Sequence, residues 1–452
     1  MTVLRSAAAT LLRLLTGARR LAPIAALFAL FPAEWKLRVS RCLLRTAVGR
    51  GSIAVASGAT PGDDKEPDLP LPRVDARHAG KGVNLCGYVR GELGLGESVR
   101  AFAKALAQSG YPFSLVDYGV PTHANADDHS LDHWLASNVE YPLSVYFVNP
   151  DQMLLNRAHF EAQKRVGRYL IGYWFWELER FPAAWHDAFD LVDEVWVASE
   201  FVCCCVAAAT DKPVTLMPMP IDFSSPVAID RHRFGIPADK FVFLFTFDYH
   251  SYPQRKNPEG VIAAFRAAFP RDRKDVHLLI KTLNADRLPD AHLRVVTATA
   301  ADPRIVASDA HLTREQTSAL LGCADAYVSL HRSEGFGLGA AEAMALGKPV
   351  IATGYSGNVD FMSEREACLV DFTLIDVAAN AYPHWQGQQW AQPDIAQAAR
   401  RMRALADDPS AAAALGAAAS MRIRRQYAPS ICAAAVIDRL QTIAKLRSCA
   451  LT

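Results

Sequence analysis

FVFLFTFD at residues 241–248, VHLLIKT at 276–282, RIVAS at 304–308, AYVSL at 326–330 and PVIAT at 349–353 are five short apolar runs separated by stretches of helical length, and ACLVD at 367–371 is a sixth. Runs this short, rich in β-branched and aromatic residues and alternating with helices, predict a parallel sheet covered by helices on both faces. Working back toward the N-terminus, the same alternation appears in VNLCGYV at 83–89, FSLVDYG at 113–119, LSVYFVN at 143–149, YLIGYWFW at 169–176, EVWVAS at 194–199 and VTLMPMP at 214–220. The polar stretch 222–237 interrupts it. The chain is therefore expected to be an α/β protein with two open sheets and a boundary near residue 228. Ligands of such sheets bind at the carboxyl ends of the strands.

Composition is consistent with this reading and narrows the partners. The chain has 452 residues, 51% of them hydrophobic, enough to bury two or three ordinary cores. Forty-eight Lys and Arg against 47 Asp and Glu leave a formal net charge of +1, which offers no global attraction to nucleic acid. The nine cysteines show no C-x-x-C pair and no Cys/His ligand spacing, as expected of reduced thiols in a cytoplasmic protein. Cys203, Cys204 and Cys205 read as small buried hydrophobes on a helix. His123, His129 and His133 match no metal-ligand spacing, so no metal site is expected.

Residues 1–50 carry nine Lys or Arg and the single acid Glu34. Wound as a helix at about 100° per residue, Arg5, Arg13, Arg19 and Arg20 share one arc, with Val3, Leu4, Leu11, Leu14, Leu15 and Leu21 roughly opposite. Such a helix suits an anionic membrane surface, with leucines at the acyl boundary and arginines among phosphates. Packing on the protein body and a transit peptide are the alternatives. The uncharged stretch 21–33 contains Pro23 and Pro32 and is too short to span a bilayer. If the membrane reading holds, deleting residues 1–75 releases the chain from anionic liposomes in a flotation assay; continued binding refutes it. The expected organisation is a basic segment and linker over 1–75, α/β domains over 76–228 and 229–430, and a C-terminal helix over 431–452.

Two stretches carry chemistry. GYVRGELGLGESVRAFAKAL, residues 87–106, sets Gly91, Gly94 and Gly96 between the first strand and a helix, where free N–H groups favour an anion such as a diphosphate. The spacing is not G-x-G-x-x-G, which disfavours a nicotinamide enzyme. HRSEGFGLGAAEAMALGKPVIATGYSGN, residues 331–358, places Glu334 in a loop mouth and Glu342 on a helix, with a glycine turn between them. Carboxylates accept hydrogen bonds from vicinal hydroxyls, and the N–H groups of residues 335–337 suit sugar oxygens or phosphate. A nucleotide sugar is both polyhydroxylated and anionic.

The run from Glu334 to Thr353 resembles the E-x7-E signature of the retaining glycosyltransferase family 4. The resemblance extends over about residues 82–430 and implies the GT-B fold, two facing Rossmann-like domains with a cleft between them. It implies transfer of a glycosyl unit, typically a hexose, from a nucleoside-diphosphate sugar to a saccharide or lipid-linked acceptor with retention of configuration. Polysaccharide or glycolipid biosynthesis at the inner membrane face is the implied setting, without metal or cofactor. Acceptor binding falls to the first domain and donor binding to the second. Glu334 is implied to contact the donor sugar, Glu342 the ribose, and Gly335, Phe336, Gly337 and Leu338 the sugar and phosphate. Gly94 and Gly96 match the glycine turn that approaches the diphosphate. In HSYPQRKNPEGVIAAF, residues 250–265, Lys256 matches the phosphate-binding lysine, and Arg255 substitutes for an arginine that relatives place several residues earlier. Ser356, Gly357 and Asp360 stand where relatives show Gly-Gly-x-x-Glu. In YWFWELERFP, residues 173–182, Trp174, Trp176, Glu177 and Glu179 are candidates for the acceptor side, with Glu177 the preferred polar group. Core packing is the other reading of the tryptophans. A GT-B epimerase or a non-catalytic nucleotide-sugar-binding protein is the alternative function.

Overall fold

The computed structural model describes residues 82–119, 125–221 and 230–450. The basic segment 1–75 and His123 lie outside them. The described chain forms two compact units, one containing the residues up to Phe175, Arg180–Pro220 and the segment from Pro429, the other containing Trp176–Glu179 and Ile221–Ala428.

The first unit is built from β1 (Val83–Gly87), α1 (Gly94–Ser109), β2 (Phe113–Asp117), β3 (Leu143–Phe147), α2 (Pro150–Leu155), α3 (Arg157–Arg165), β4 (Tyr169–Tyr173), β5 (Glu194–Val197), α4 (Glu200–Ala207) and β6 (Val214–Leu216). All six strands are parallel, in the order β2-β1-β3-β4-β5-β6. Every residue of β1, β3 and β5 is buried, which is why these strands read as continuous apolar runs rather than alternating ones. Helix α1 buries Val99, Phe102, Ala103 and Leu106, a stripe at helical spacing, and ends at Gly110 with φ 68°.

The second unit contains β7 (Phe241–Asp248), α5 (Pro253–Lys256), α6 (Pro258–Ala268), β8 (Val276–Leu283), α7 (Pro289–Ala300), β9 (Ile305–Ser308), α8 (Arg314–Cys323), β10 (Ala326–Ser329), α9 (Leu338–Ala345), β11 (Val350–Thr353), β12 (Cys368–Val370), the antiparallel pair β13 (Phe372–Asp376) and β14 (Gln389–Pro393), α10 (Ile395–Asp407) and α11 (Pro409–Tyr427). Its parallel sheet runs β12-β11-β10-β7-β8-β9. The order of winding reverses between β7 and β10, so the loops after these two strands diverge and leave a crevice at their carboxyl ends. The corresponding reversal in the first unit lies between β1 and β3.

The two expected parallel α/β sheets are present, and each of the twelve apolar runs contains a strand. The run at 169–176 is shorter as a strand than its composition suggests, because β4 stops at Tyr173 and the residues beyond leave the sheet. The hairpin β13–β14 has no counterpart in the sequence reading. The second unit begins at Ile221 rather than near 228, where the Ile221 N–H donates to the Tyr427 carbonyl at 2.9 Å. The segment expected as a separate C-terminal helix is α12 (Pro429–Ala450), which belongs to the first unit and packs on α1. Cys432, Ala433, Val436, Leu440 and Ile443 form an apolar stripe on it that only a hydrophobic surface can cover. Arg439 completes the docking by donating from Nε and Nη2 to the two oxygens of Glu194, at 2.8 and 2.7 Å.

Candidate active site

The carboxyl ends of β7 and β10 bring the basic pair and the first glutamate together. After β7, Asp248 accepts the His250 N–H at 2.9 Å and closes the first turn. The chain then passes through two residues with left-handed backbone, Tyr252 (φ 63°) and Asn257 (φ 58°), which bracket Arg255 and Lys256. Asn257 tolerates this conformation, and its Nδ2 donates to the Leu330 carbonyl at 2.8 Å, tying the loop to the end of β10. Tyr252 does not tolerate it readily. Its backbone represents strain of about 1–3 kcal/mol, held in place by the N–H groups of Arg255 and Lys256, which donate to its carbonyl at 2.9 and 3.1 Å.

After β10 the chain reaches Glu334, which is 8% exposed. Its Oε1 accepts from Lys256 Nζ at 2.5 Å, and its Oε2 lies 3.0 Å from Arg255 Nη1. Arg255 is the more deeply buried cation and also donates from Nη1 to the Ser333 carbonyl at 2.8 Å and from Nε to the Ser251 carbonyl at 3.2 Å. Burial by itself raises the Glu334 carboxyl, but the charges of Lys256 and Arg255 outweigh it and hold the group well below the usual carboxylate range. Burial keeps the neighbouring His331 imidazole below its ordinary value, with ring nitrogens 3.1 Å from Ser329 Oγ and 3.1 Å from Asn358 Oδ1.

The glycine turn follows Glu334 directly. Gly337 has φ 99°, a conformation that L side chains rarely adopt, and α9 starts at Leu338. A Cβ at Gly357 would stand 2.3 Å from the Gly335 carbonyl oxygen, so the turn and the loop after β11 are in backbone contact. Phe336 turns its ring into the core against Phe361 and Tyr427, leaving only its backbone for a ligand. Ser356 replaces a glycine of the resembling family, and its φ of 72° with ψ −144° shows why glycine suits this position. Two hydrogen bonds hold the serine there: its Oγ accepts the Glu334 N–H at 2.7 Å and donates to the Tyr355 carbonyl at 2.5 Å. Ser356→Ala keeps the strain and loses both bonds, whereas Ser356→Gly loses the bonds and relieves the strain. Denaturant unfolding is expected to show the glycine variant more stable than the alanine variant by about 1–2 kcal/mol; equal stabilities would refute strain at this position.

Not all the expected residues join the ion cluster. Glu342 lies on α9, and its Oε1 accepts from Arg314 Nη2 at 2.6 Å; sequence reasoning passed over Arg314 because it opens an ordinary capped helix. Glu177 was expected among the first unit's acceptor-side groups, yet residues 176–179 belong with the second unit. There Glu177 Oε2 accepts the Tyr382 hydroxyl at 2.5 Å, and its main-chain oxygen accepts the Ser333 hydroxyl. Tyr382 comes from the segment between β13 and β14, which carries no motif. Trp176 packs on Tyr382 with ring centroids 5.5 Å apart, and Trp174 is fully buried in the first unit against Phe181 and Phe189.

Gly94 and Gly96 open α1 in the first unit. A Cβ at Gly96 would meet the Gly91 carbonyl oxygen at 2.1 Å, so glycine there is demanded by packing of the turn on the helix; Gly94 faces open space. The buried Arg100 closes the same turn by donating to the carbonyls of Val89 and Gly91 at 2.6 and 3.1 Å. His129 is bound to Asp132 at 2.8 Å. Cys203 and Cys205 are buried in α4 and Cys204 is half-buried. Among the described residues no group of three or more His, Cys, Asp or Glu is placed to hold a metal, and no helix is long and apolar enough to cross a membrane.

Residues 240–381, which include Lys256, Glu334 and Glu342, match the family described as Glycosyl transferases group 1. No curated protein matches the chain in sequence. Solved structures of similar fold include sucrose-phosphate synthase from Thermosynechococcus elongatus (18% identity, TM-score 0.58, covering 82% of this chain and 100% of that one). HepE from Anabaena in complex with UDP-glucose is another (14%, 0.60, 80% and 99%), as is a glycosyltransferase from Rickettsia africae (14%, 0.58, 81% and 99%). The chain therefore has the GT-B fold, and residues 240–381 of its second unit match Glycosyl transferases group 1.

Proposed function

We propose that this chain is a glycosyltransferase that moves a sugar from a nucleoside-diphosphate sugar to an acceptor hydroxyl with retention of anomeric configuration. The observation that carries the reading is the ionised Glu334 set between Lys256 and Arg255 where the winding order of the second sheet reverses, inside the region that matches glycosyl transferases group 1. A departing diphosphate gains negative charge as the anomeric carbon–oxygen bond breaks, and a preorganised cation stabilises that charge. Lys256, the more exposed of the two cations, exchanges Glu334 for a phosphate oxygen. Glu334, freed of Lys256 and still beside Arg255, accepts hydrogen bonds from the donor sugar. The acceptor oxygen bonds to the anomeric carbon on the face the diphosphate leaves, and its proton passes to the departing phosphate oxygen. Glu342 holds the ribose hydroxyls. That Anabaena HepE, a protein of like fold, was solved with UDP-glucose supports a nucleotide-sugar donor. Lipid-linked or polysaccharide acceptors are proposed from the basic residues 1–50.

The deciding experiment incubates the full chain with UDP-, GDP-, ADP- and dTDP-sugars and candidate saccharide acceptors, follows release of the nucleoside diphosphate, and reads the anomeric proton coupling of the product by NMR. Retention with diphosphate release is expected. Inverted product refutes the stereochemistry, and free epimer or binding without turnover favours one of the two alternative functions.

A further inference from the structure

The WELE segment after β4 joins the ion cluster by a route that the proposed transfer chemistry does not use. Tyr382 donates its hydroxyl to Glu177 Oε2 at 2.5 Å, and its ring is 5.9 Å from the Arg255 guanidinium carbon. Trp176 flanks that ring at 5.5 Å and Tyr252 meets it edge-on at 4.8 Å, so the phenol has little freedom to turn its hydroxyl elsewhere. The Ser333 hydroxyl donates to the Glu177 main-chain oxygen, while the Ser333 carbonyl accepts from Arg255 Nη1 at 2.8 Å. Two paths thus run from Glu177 to Arg255, one through Tyr382 and one through Ser333, and Arg255 touches Glu334. In charge, two acids, Glu334 and Glu177, balance two bases, Arg255 and Lys256.

We propose that Glu177, acting through Tyr382, is a positioning residue that fixes Arg255 as the permanent counter-ion of Glu334. Arg255, 4% exposed and held by Ser251, Ser333, Glu334 and the Tyr382 ring, is a strut. Lys256 is then the cation free to trade Glu334 for a phosphate. Without the strut, a carboxylate abandoned by Lys256 would be left buried with no counter-charge to fix its orientation toward the donor sugar. Burial lowers the Arg255 guanidinium, but the charges of Glu334 and Glu177 more than reverse this. This assignment rests on the glycosyl-transfer reading and moves Glu177 from the acceptor side to the support of the donor-side cluster.

The test uses the full chain and the donor sugar that the wild-type protein consumes, comparing Tyr382→Phe, Glu177→Ala, their double variant and Glu177→Gln, with circular dichroism and thermal midpoints to establish folding. Tyr382→Phe and Glu177→Ala are each expected to lower kcat by about tenfold while the donor KM stays within about threefold, because a displaced Arg255 misaligns Glu334 without removing Lys256. The double variant is expected to be no worse than either single one, since both sever one link. Glu177→Gln, which still accepts from Tyr382, retains more activity than Glu177→Ala. Unchanged kcat in folded single variants, additive losses, or a raised KM with kcat intact overturns the proposal and leaves the transfer reading standing. A wild-type chain that releases no nucleoside diphosphate from any donor defeats the reading and the proposal together.

Discussion

Glu334→Gln is expected to lower sugar transfer by at least about 10²-fold while nucleoside-diphosphate affinity stays within a few-fold or improves. The substitution is nearly isosteric but removes the anion that faces Lys256 Nζ at 2.5 Å and Arg255 Nη1 at 3.0 Å. Lys256 then meets the incoming diphosphate without that competitor, so binding does not suffer. What is lost, on the proposed reading, is the carboxylate assigned to accept from the donor sugar. Rates normalised to folded protein, together with calorimetric titration of the nucleoside diphosphate found in the donor screen, separate the two effects. Full activity would remove Glu334 from the mechanism, and affinity lost in parallel with rate would make it a plain binding residue. The carboxyl group also sets a pH expectation. Its folded value lies below the ordinary 4.5, so its stabilising contribution is complete above the ordinary value and is lost only as pH falls through the lower folded one. Acidification from pH 7 to 5 leaves Glu334 charged, and any loss of activity in that window arises elsewhere.

Arg439→Ala is expected to destabilise the first unit by about 3 kcal/mol. Glu194 is fully buried, and Arg439 supplies a two-pronged pairing to both of its oxygens. Deleting the arginine strands a buried carboxylate, which keeps hydrogen bonds from Trp196 Nε1 at 2.8 Å, Thr215 Oγ1 at 2.6 Å and Tyr169 at 3.2 Å but no counter-charge. These three bonds place the expected cost at the lower end of the range for a broken buried pair. A fall in unfolding midpoint of roughly 6–12 °C follows for a domain of this size. Replacing Glu194 and Arg439 together by leucine recovers most of the loss, because no charge is then left buried. A loss below about 1 kcal/mol in the single variant would mean that the apolar stripe of α12 holds the helix without help.

The strands were legible because a strand buried on both faces must be apolar throughout, so each appears as a run whatever its neighbours are. YLIGYWFW shows where that logic stops. All eight residues look alike as hydrophobes, but the sheet ends at Tyr173. Trp174 then packs in the first unit and Trp176 in the second, a choice made by partners distant in sequence. The hairpin β13–β14 was missed because four of its first strand's five residues, Thr373, Leu374, Ile375 and Asp376, are exposed and form no buried run. Gly337 was recognisable as part of a turn from local spacing, and Gly357 only through the resemblance. Ser356 was recognisable as a departure from a pattern, but that it adopts a glycine-like backbone was not.

What the sequence determined by itself is local: twelve hydrophobic runs, the glycine turns, and the acids and bases placed next to them, because burial and backbone freedom act over a few residues. What only the tertiary structure decided is pairing. Lys256 and Glu334 are 78 positions apart and Glu177 and Tyr382 are 205 apart. Each contact exists because the fold brings separate loops to one place, and Coulomb attraction and hydrogen bonding, which act over a few ångströms, respond to that distance and not to position along the chain.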